Sequence, residues 1–344
     1  MAPQTRFSKC LAKVSIGKDR KVKDEFHKDE PPKGGSHTGV AAEPSIPSDI
    51  RGYPFTFSSP LSPAKVTKIL NCDKWLVSRP LSDVCRYDGA HLSGISSTCG
   101  GRHIHEKFPS LTGSGAEQKD WIAFGIFNRH NGARTAQALK EHLLPYVRHE
   151  LTKKAFESNA LTDDDIHNGI ELAFCALDNA FVGEAGRIID SDLPWSEKMV
   201  SLDYASSGST ALLALYDPSS RKLHVACTGN SCAILGRLSD DRKQWDVVSL
   251  SVDQDMFNSG ERERIQAEHC GEKLHKLVKN NRCLDLEVAR AFGDGHWKWP
   301  LRIKERAKRC INTDTGEKLF KSPPYLTTKP VVSTTAIEKE DMPS

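Results

Sequence analysis

With 344 residues, a formal net charge of +3 and 27% charged residues, the chain has ample material for a core in one large domain or two small ones. It lacks the concentrated basic face of a nucleic-acid binder. No apolar run approaches the length of a membrane span, and the ten cysteines stand singly without a CxxC pair, which argues for reduced, buried thiols and against a disulfide framework or zinc site.

Residues 1–50 are rich in Lys, Pro, Gly and Ser and poor in large apolar side chains, so they read as a disordered basic tail. Up to Lys18 this stretch carries Arg6, Lys9, Lys13 and Lys18 with no acid, and includes Thr5, Ser8 and Ser15. That is the composition of a mitochondrial transit peptide and equally of a solvated tail, so the compartment expected is the mitochondrion, or otherwise the cytoplasm. The folded part is expected over residues 51–344. A short helix is predicted over 62–70, with Ser62 as cap and Pro63 in its first turn, followed by strands over 75–79 and 84–87.

In Arg102-His103-Ile104-His105 the two histidines are two apart and share one face of a strand. A half-exposed strand with incidental histidines accounts for them more simply than a metal site, because two ligands do not make one. Residues 121–127 (WIAFGIF) form a buried strand. A helix with Leu139, Leu143 and Val147 in register follows, with Pro145 expected to kink it. A second helix is capped by Thr162 and aligns Ile166, Ile170, Phe174, Leu177 and Phe181. Asp163, Asp164 and Asp165 in its first turn suit the helix dipole better than a metal.

The stretch 202–236 organises the rest. Residues 209–216 read as a strand, 217–220 (Asp-Pro-Ser-Ser) as a turn and 223–228 as the return strand. Gly229-Asn230 forms a tight corner, and 231–235 a third strand. Further on, Gly271 is a plausible helix stop, and then come Arg290-Ala291-Phe292-Gly293-Asp294 and Trp297-Lys298-Trp299.

Several of these pieces occur in a recognisable order: Arg86-Tyr87-Asp88-Gly89, Ser207-Gly208-Ser209-Thr210, the Gly229 corner, Arg290 to Asp294, Trp297-Lys298-Trp299, Pro323-Pro324-Tyr325-Leu326 and Pro330-Val331-Val332. In them the chain resembles the metal-dependent type 2C protein phosphatases, and most closely their pyruvate dehydrogenase phosphatase branch, from about residue 53 onward. The resemblance implies an α+β fold, an αββα sandwich of two antiparallel sheets flanked by helices. It also implies that the family's last strands, with an Asp-Gly and an Asp-Asn pair, lie beyond Ser344, which would leave the domain C-terminally incomplete.

In that family carboxylates hold two Mg²⁺ or Mn²⁺ ions and a bridging hydroxide. Here Gly100, Gly101, Asn128 and Asn230 stand at carboxylate positions, and the metal-site corner reads Asn128-Arg129-His130-Asn131-Gly132. The resemblance makes Asp294 the one core metal ligand retained, and Arg129 adds a cation beside the main bridging position.

Three readings follow. The first is a catalytically impaired pseudophosphatase that binds a phosphorylated or acidic partner, or regulates such a phosphatase. It has no cofactor, and Arg102, His103, His105, Arg129 and His130 are its anion-binding candidates. The second is an active Mg/Mn-dependent serine/threonine phosphatase with a rearranged site using Asp294, His130 and the two strand histidines. The third is different chemistry in the same cleft, with Cys227 or Cys232 as nucleophile and His130 as base. An incomplete sheet would expose an edge through which the chain could dimerise.

Overall fold

The structure, a computed structural model, describes residues 11–14, 74–76, 88–90, 101–111, 119–158, 161–238, 244–307 and 321–338. The expected helix over 62–70, the strand over 84–87 and all of the tail except Leu11–Val14 lie outside these residues. The chain divides into two compact units, residues 1–14 with 100–339, and residues 15–99 with 340–344.

The elements run in this order. Strand β1 (Leu11–Val14) lies in the stretch read as tail, and β2 (Lys74–Leu76) and β3 (Asp88–Ala90) form an antiparallel pair within the second unit. The first unit continues with β4 (Arg102–Phe108), β5 (Trp121–His130), α1 (Arg134–Glu157) and α2 (Asp163–Asp178). A π-helical turn (Asn179–Gly183) leads into α3 (Ala185–Asp190) and α4 (Trp195–Ser206). Then come β6 (Gly208–Asp217), β7 (Lys222–Thr228), β8 (Cys232–Leu238), β9 (Trp245–Ser249), α5 (Ser259–Glu268) and α6 (Leu274–Leu277). The short strands β10 (Val278–Lys279), β11 (Arg282–Cys283) and β12 (Phe292–Gly293) precede α7 (Gly295–Lys298), α8 (Leu301–Ala307) and β13 (Val331–Ala336).

The fold is α+β. The main sheet is antiparallel in the order β13-β7-β6-β5-β4, with β12 attached to β6. A smaller sheet, β1-β8-β9, has β8 and β9 antiparallel but β1 and β8 parallel, where wholly antiparallel pairing was expected. Every residue of β6 is buried, as the small and apolar run from Ala211 to Leu215 at its centre requires.

On one face of the main sheet, Trp121, Ala123 and Phe127 of β5 and Ala211, Leu213 and Leu215 of β6 join Leu139, Leu143, Val147 and Leu151 of α1 and Ile170 and Phe174 of α2 in a continuous core. Helix α1 passes through Pro145 without ending. Pro145 is exposed, so the carbonyl it cannot serve faces solvent.

Helix α2 begins with a complete capping box. The Thr162 hydroxyl accepts from Asp165 N–H, the Asp165 carboxylate accepts from Thr162 N–H, and the Asp163 carboxylate takes Lys222 Nζ at 2.8 Å. The acidic triplet is thus a helix start. Helix α5 ends at Glu268, before Gly271, because the His269 ring is drawn into a stack on Tyr325 (4.5 Å between ring centres) with Nδ1 2.9 Å from Ser322 Oγ.

Candidate functional site

The end of β5 and the start of β6 build the site. Their register sets Asn128 opposite Thr210, Arg129 opposite Ser209 and His130 opposite Gly208. Asp294 arrives from the other end of the sequence, at the start of α7, with its N–H donating to Ser207 O at 2.9 Å. Its backbone is left-handed (φ 51°, ψ 41°), a conformation that Asp tolerates better than most residues, and its side chain is fully buried.

His130 Nε2 lies 2.5 Å from Asp294 Oδ2, and Asn131 Nδ2 donates to Oδ1 at 3.3 Å. Both carboxylate oxygens therefore have partners from the protein. Burial works against an imidazolium at His130, but the charge and hydrogen bond of Asp294 outweigh it, so the His130 pKa is raised above its ordinary 6.5. Gly208 makes this closure possible, because a Cβ there would overlap both groups.

A second buried pair pins the segment behind Asp294. Lys298 Nζ donates to Asp178 Oδ2 and to Ala291 O, both at 2.7 Å, and Gly293 N–H donates to Asp178 Oδ1 at 2.8 Å. Burial pushes the Asp178 carboxyl up, against the opposing pull of Lys298. Gly293 has φ 68°, and any side chain there would strike Ser207 O and the Thr135 hydroxyl, which itself donates to Ser207 O at 2.7 Å. Trp297 and Trp299 are buried, with indole N–H groups on Leu284 O (3.2 Å) and Val182 O (2.9 Å).

Asp178, Lys298, Gly208 and Asn131 have no place among the candidates read from sequence. A signal for one pair was present. Asp178 continues the apolar stripe of α2 and Lys298 sits between two tryptophans, so each was a charge in a buried pattern awaiting an opposite partner.

The five anion-binding candidates do not form one cluster. Arg102 lies opposite Phe127, His103 opposite Ile126 and His105 opposite Phe124. Phe127 belongs to the core under α1, so strand alternation puts Arg102 and Arg129 on the α1 face and His103, His105 and His130 on the other. Arg102 accordingly donates from Nε to Gln137 Oε1 of α1 at 2.8 Å.

His105 is stacked on Phe124 (5.4 Å) and depressed to about 4, first by burial and then by the charges of His103 and Lys107, so at neutral pH it brings no charge to an anion. Asn230 is half-buried at the corner between β7 and β8. The Thr210 and Ser231 hydroxyls, 3.1 Å apart, tie that corner to the strand end bearing Asn128. Gly101 precedes β4, and Gly100 lies outside the described residues.

The reading of Cys227 as a nucleophile is corrected. Its thiol is buried, donates to Ser231 O at 3.3 Å, and is pushed up to about 12 by burial, so no thiolate is available. Cys232 is half-buried and its Sγ contacts Ala233 O at 3.9 Å.

Among the described residues, few carboxylate oxygens lie where divalent ions would be held. Such ions take several carboxylate oxygens, whereas Asn128 and Asn230 offer only neutral ones and the Asp294 oxygens are held by His130 and Asn131. Among the described residues no group of three or more His, Cys, Asp or Glu side chains is placed to hold a metal. Among them, too, no helix is long and apolar enough to cross a membrane.

Residues 85–342 match the family model of Protein phosphatase 2C, a family that normally uses Mg²⁺ or Mn²⁺. A protein phosphatase 2C homolog of Schizosaccharomyces pombe is 34% identical over 227 residues, covering 64% of this chain and 50% of that protein. The mitochondrial pyruvate dehydrogenase phosphatase 1 of Saccharomyces cerevisiae is 37% identical over 232 residues (64% of this chain, 40% of that protein). The human protein of the same name is 33% identical over 350 residues (82% and 62%). The chain thus spans between 40% and 62% of the length of these relatives.

Proposed function

The chain belongs to the protein phosphatase 2C family, and on that premise we propose that it is a catalytically impaired member that binds a phosphorylated or acidic partner without hydrolysing it. The observation that carries this reading is the closed contact between His130 and Asp294. The His130 ring takes up the one retained core carboxylate, at 2.5 Å, where the family's chemistry calls for metal.

The anion is met instead by Arg102 and Arg129. They share the α1 face of the sheet near the first turn of α1, whose dipole adds positive potential. The relatives named as mitochondrial pyruvate dehydrogenase phosphatases, together with the acid-free basic stretch up to Lys18, support a mitochondrial location and a phosphoprotein of that compartment as partner.

The test is turnover of p-nitrophenyl phosphate and a phosphoserine peptide with Mn²⁺ or Mg²⁺, alongside melting curves in inorganic phosphate. The expected outcome is no turnover and a phosphate-dependent rise in melting temperature that disappears in Arg129→Gly. Metal-dependent turnover that is lost in Asp294→Ala overturns the proposal.

A further inference from the structure

Away from this site, α5, α6 and the start of β10 enclose an open groove of about 640 Å³ whose lining includes Arg262, Glu272, Lys273, Leu274, His275 and Val278. None of the residues of the Asn128 to His130 site contributes to it.

The charges in this groove are unevenly satisfied. On α5, Arg264 is tied to Glu261 at 3.0 Å and to Glu268 at 2.6 Å, and Arg290 also reaches Glu261 at 2.6 Å. Those pairs take up Glu261 and Glu268, while Glu263, exposed on α5, is not part of the groove lining. Glu272 is the one carboxylate of the groove lining, and its Oε1 is held from behind by Ser322 Oγ at 2.6 Å and Tyr325 OH at 2.7 Å. Among the described residues, Arg262, Lys273 and His275 have no ion-pair partner, and Arg262 and Lys273 are exposed.

The groove also has apolar walls. Leu274 and Val278 are partly buried against the core formed by Met256, Ile265, Leu277, Trp297 and Tyr325, so they are anchored from behind and keep one side open. Two unpaired cations beside a fixed apolar wall form a surface complementary to an extended acidic segment carrying an apolar side chain.

We propose that this groove docks an acidic peptide segment of a partner protein, with Arg262 and Lys273 meeting its carboxylates and Leu274 and Val278 its apolar residue. The assignment holds whether or not the chain hydrolyses phosphate, because it uses none of that machinery.

The test is fluorescence anisotropy of a labelled ten-residue peptide of glutamates with one central leucine. Its phosphoserine and all-glutamine counterparts are run in parallel on the full chain at low and physiological salt. Arg262→Glu with Lys273→Glu is expected to weaken glutamate-peptide binding at least tenfold at an unchanged melting temperature. Lys140→Glu, an exposed lysine on α1, is expected to stay within twofold. The wild-type affinity should also fall as salt rises.

Equal binding of the glutamine peptide, or binding indifferent to the charge reversal, overturns the proposal. So does displacement of the peptide by inorganic phosphate alone at millimolar concentration, which would reduce the site to a free-anion site. Loss of binding in Arg129→Gly but not in the groove variant places the peptide at the α1 face. That result overturns the groove while leaving the reading of the main site intact.

Discussion

Gly208→Ala probes the closed contact of His130 and Asp294 without touching either residue. An alanine Cβ would lie 2.5 Å from Asp294 Oδ2 and closer still to Oδ1 and to His130 Nε2, where ordinary contact begins near 3.4 Å. The carboxylate must therefore retreat by about 1 Å. Asp294 is fully buried and cannot move toward water, so either its contact with His130 opens or the β5–β6 ladder spreads.

Overpacking of this kind costs about 1–3 kcal/mol, and breaking a buried ion pair about 3–5 kcal/mol. His130 retains 27% side-chain exposure, which screens the pair, so a combined loss of about 2–4 kcal/mol is expected. For a domain of this size that corresponds to a drop of roughly 10 °C in melting temperature. Thermal unfolding by circular dichroism reads the shift directly. Urea unfolding of the double-mutant cycle with Asp294→Ala should return a coupling of about 1–2 kcal/mol, since removing the carboxylate makes room for the new methyl. A variant melting within 2 °C of wild type, or the same penalty in both backgrounds, would refute the geometry described for Gly208.

Two further outcomes concern buried groups. His224 is buried on β7, stacked on Trp121 and bonded through Nδ1 to Thr334 Oγ1 at 2.8 Å, and its pKa is lowered to about 4, mainly by burial. Its folded value lies below its unfolded 6.5, so its contribution is complete above about pH 6.5 and is lost as pH falls toward 4, by at most about 3 kcal/mol. Between pH 7.5 and 4.5, urea unfolding should show a larger loss for wild type than for His224→Asn, and parallel losses would contradict this. Cys227, pushed up to about 12, should resist iodoacetamide at pH 8 in the native chain while exposed Cys270 is alkylated, and comparable labelling by mass spectrometry would show that the Cys227 site opens.

Local chemistry made part of this molecule legible in advance. Thr162 and Asp165 are three residues apart, and their capping box depends on nothing else in the chain. The strand over 209–216 and its Asp-Pro-Ser-Ser turn are likewise specified by neighbours. The Asp217 carboxylate accepts from Ser219 N–H at 2.9 Å and from Ser220 Oγ at 2.7 Å. Grouping Arg102 with His103 failed for a reason the residues already held, since neighbours on a strand face opposite ways. Gly271 failed as a helix stop because a buried stack on Tyr325 ended the helix earlier.

The sequence by itself determined the family and the order of the main elements, because each rests on residue identity or short-range periodicity. Only the tertiary structure decided what Asp294 touches. His130 is 164 positions away, and Asp178 and Lys298 are 120 apart. No local pattern relates such residues. Their charges meet only because β5 pairs with β6, and because Gly208 and Gly293 leave the backbone bare enough for the start of α7 to close against it.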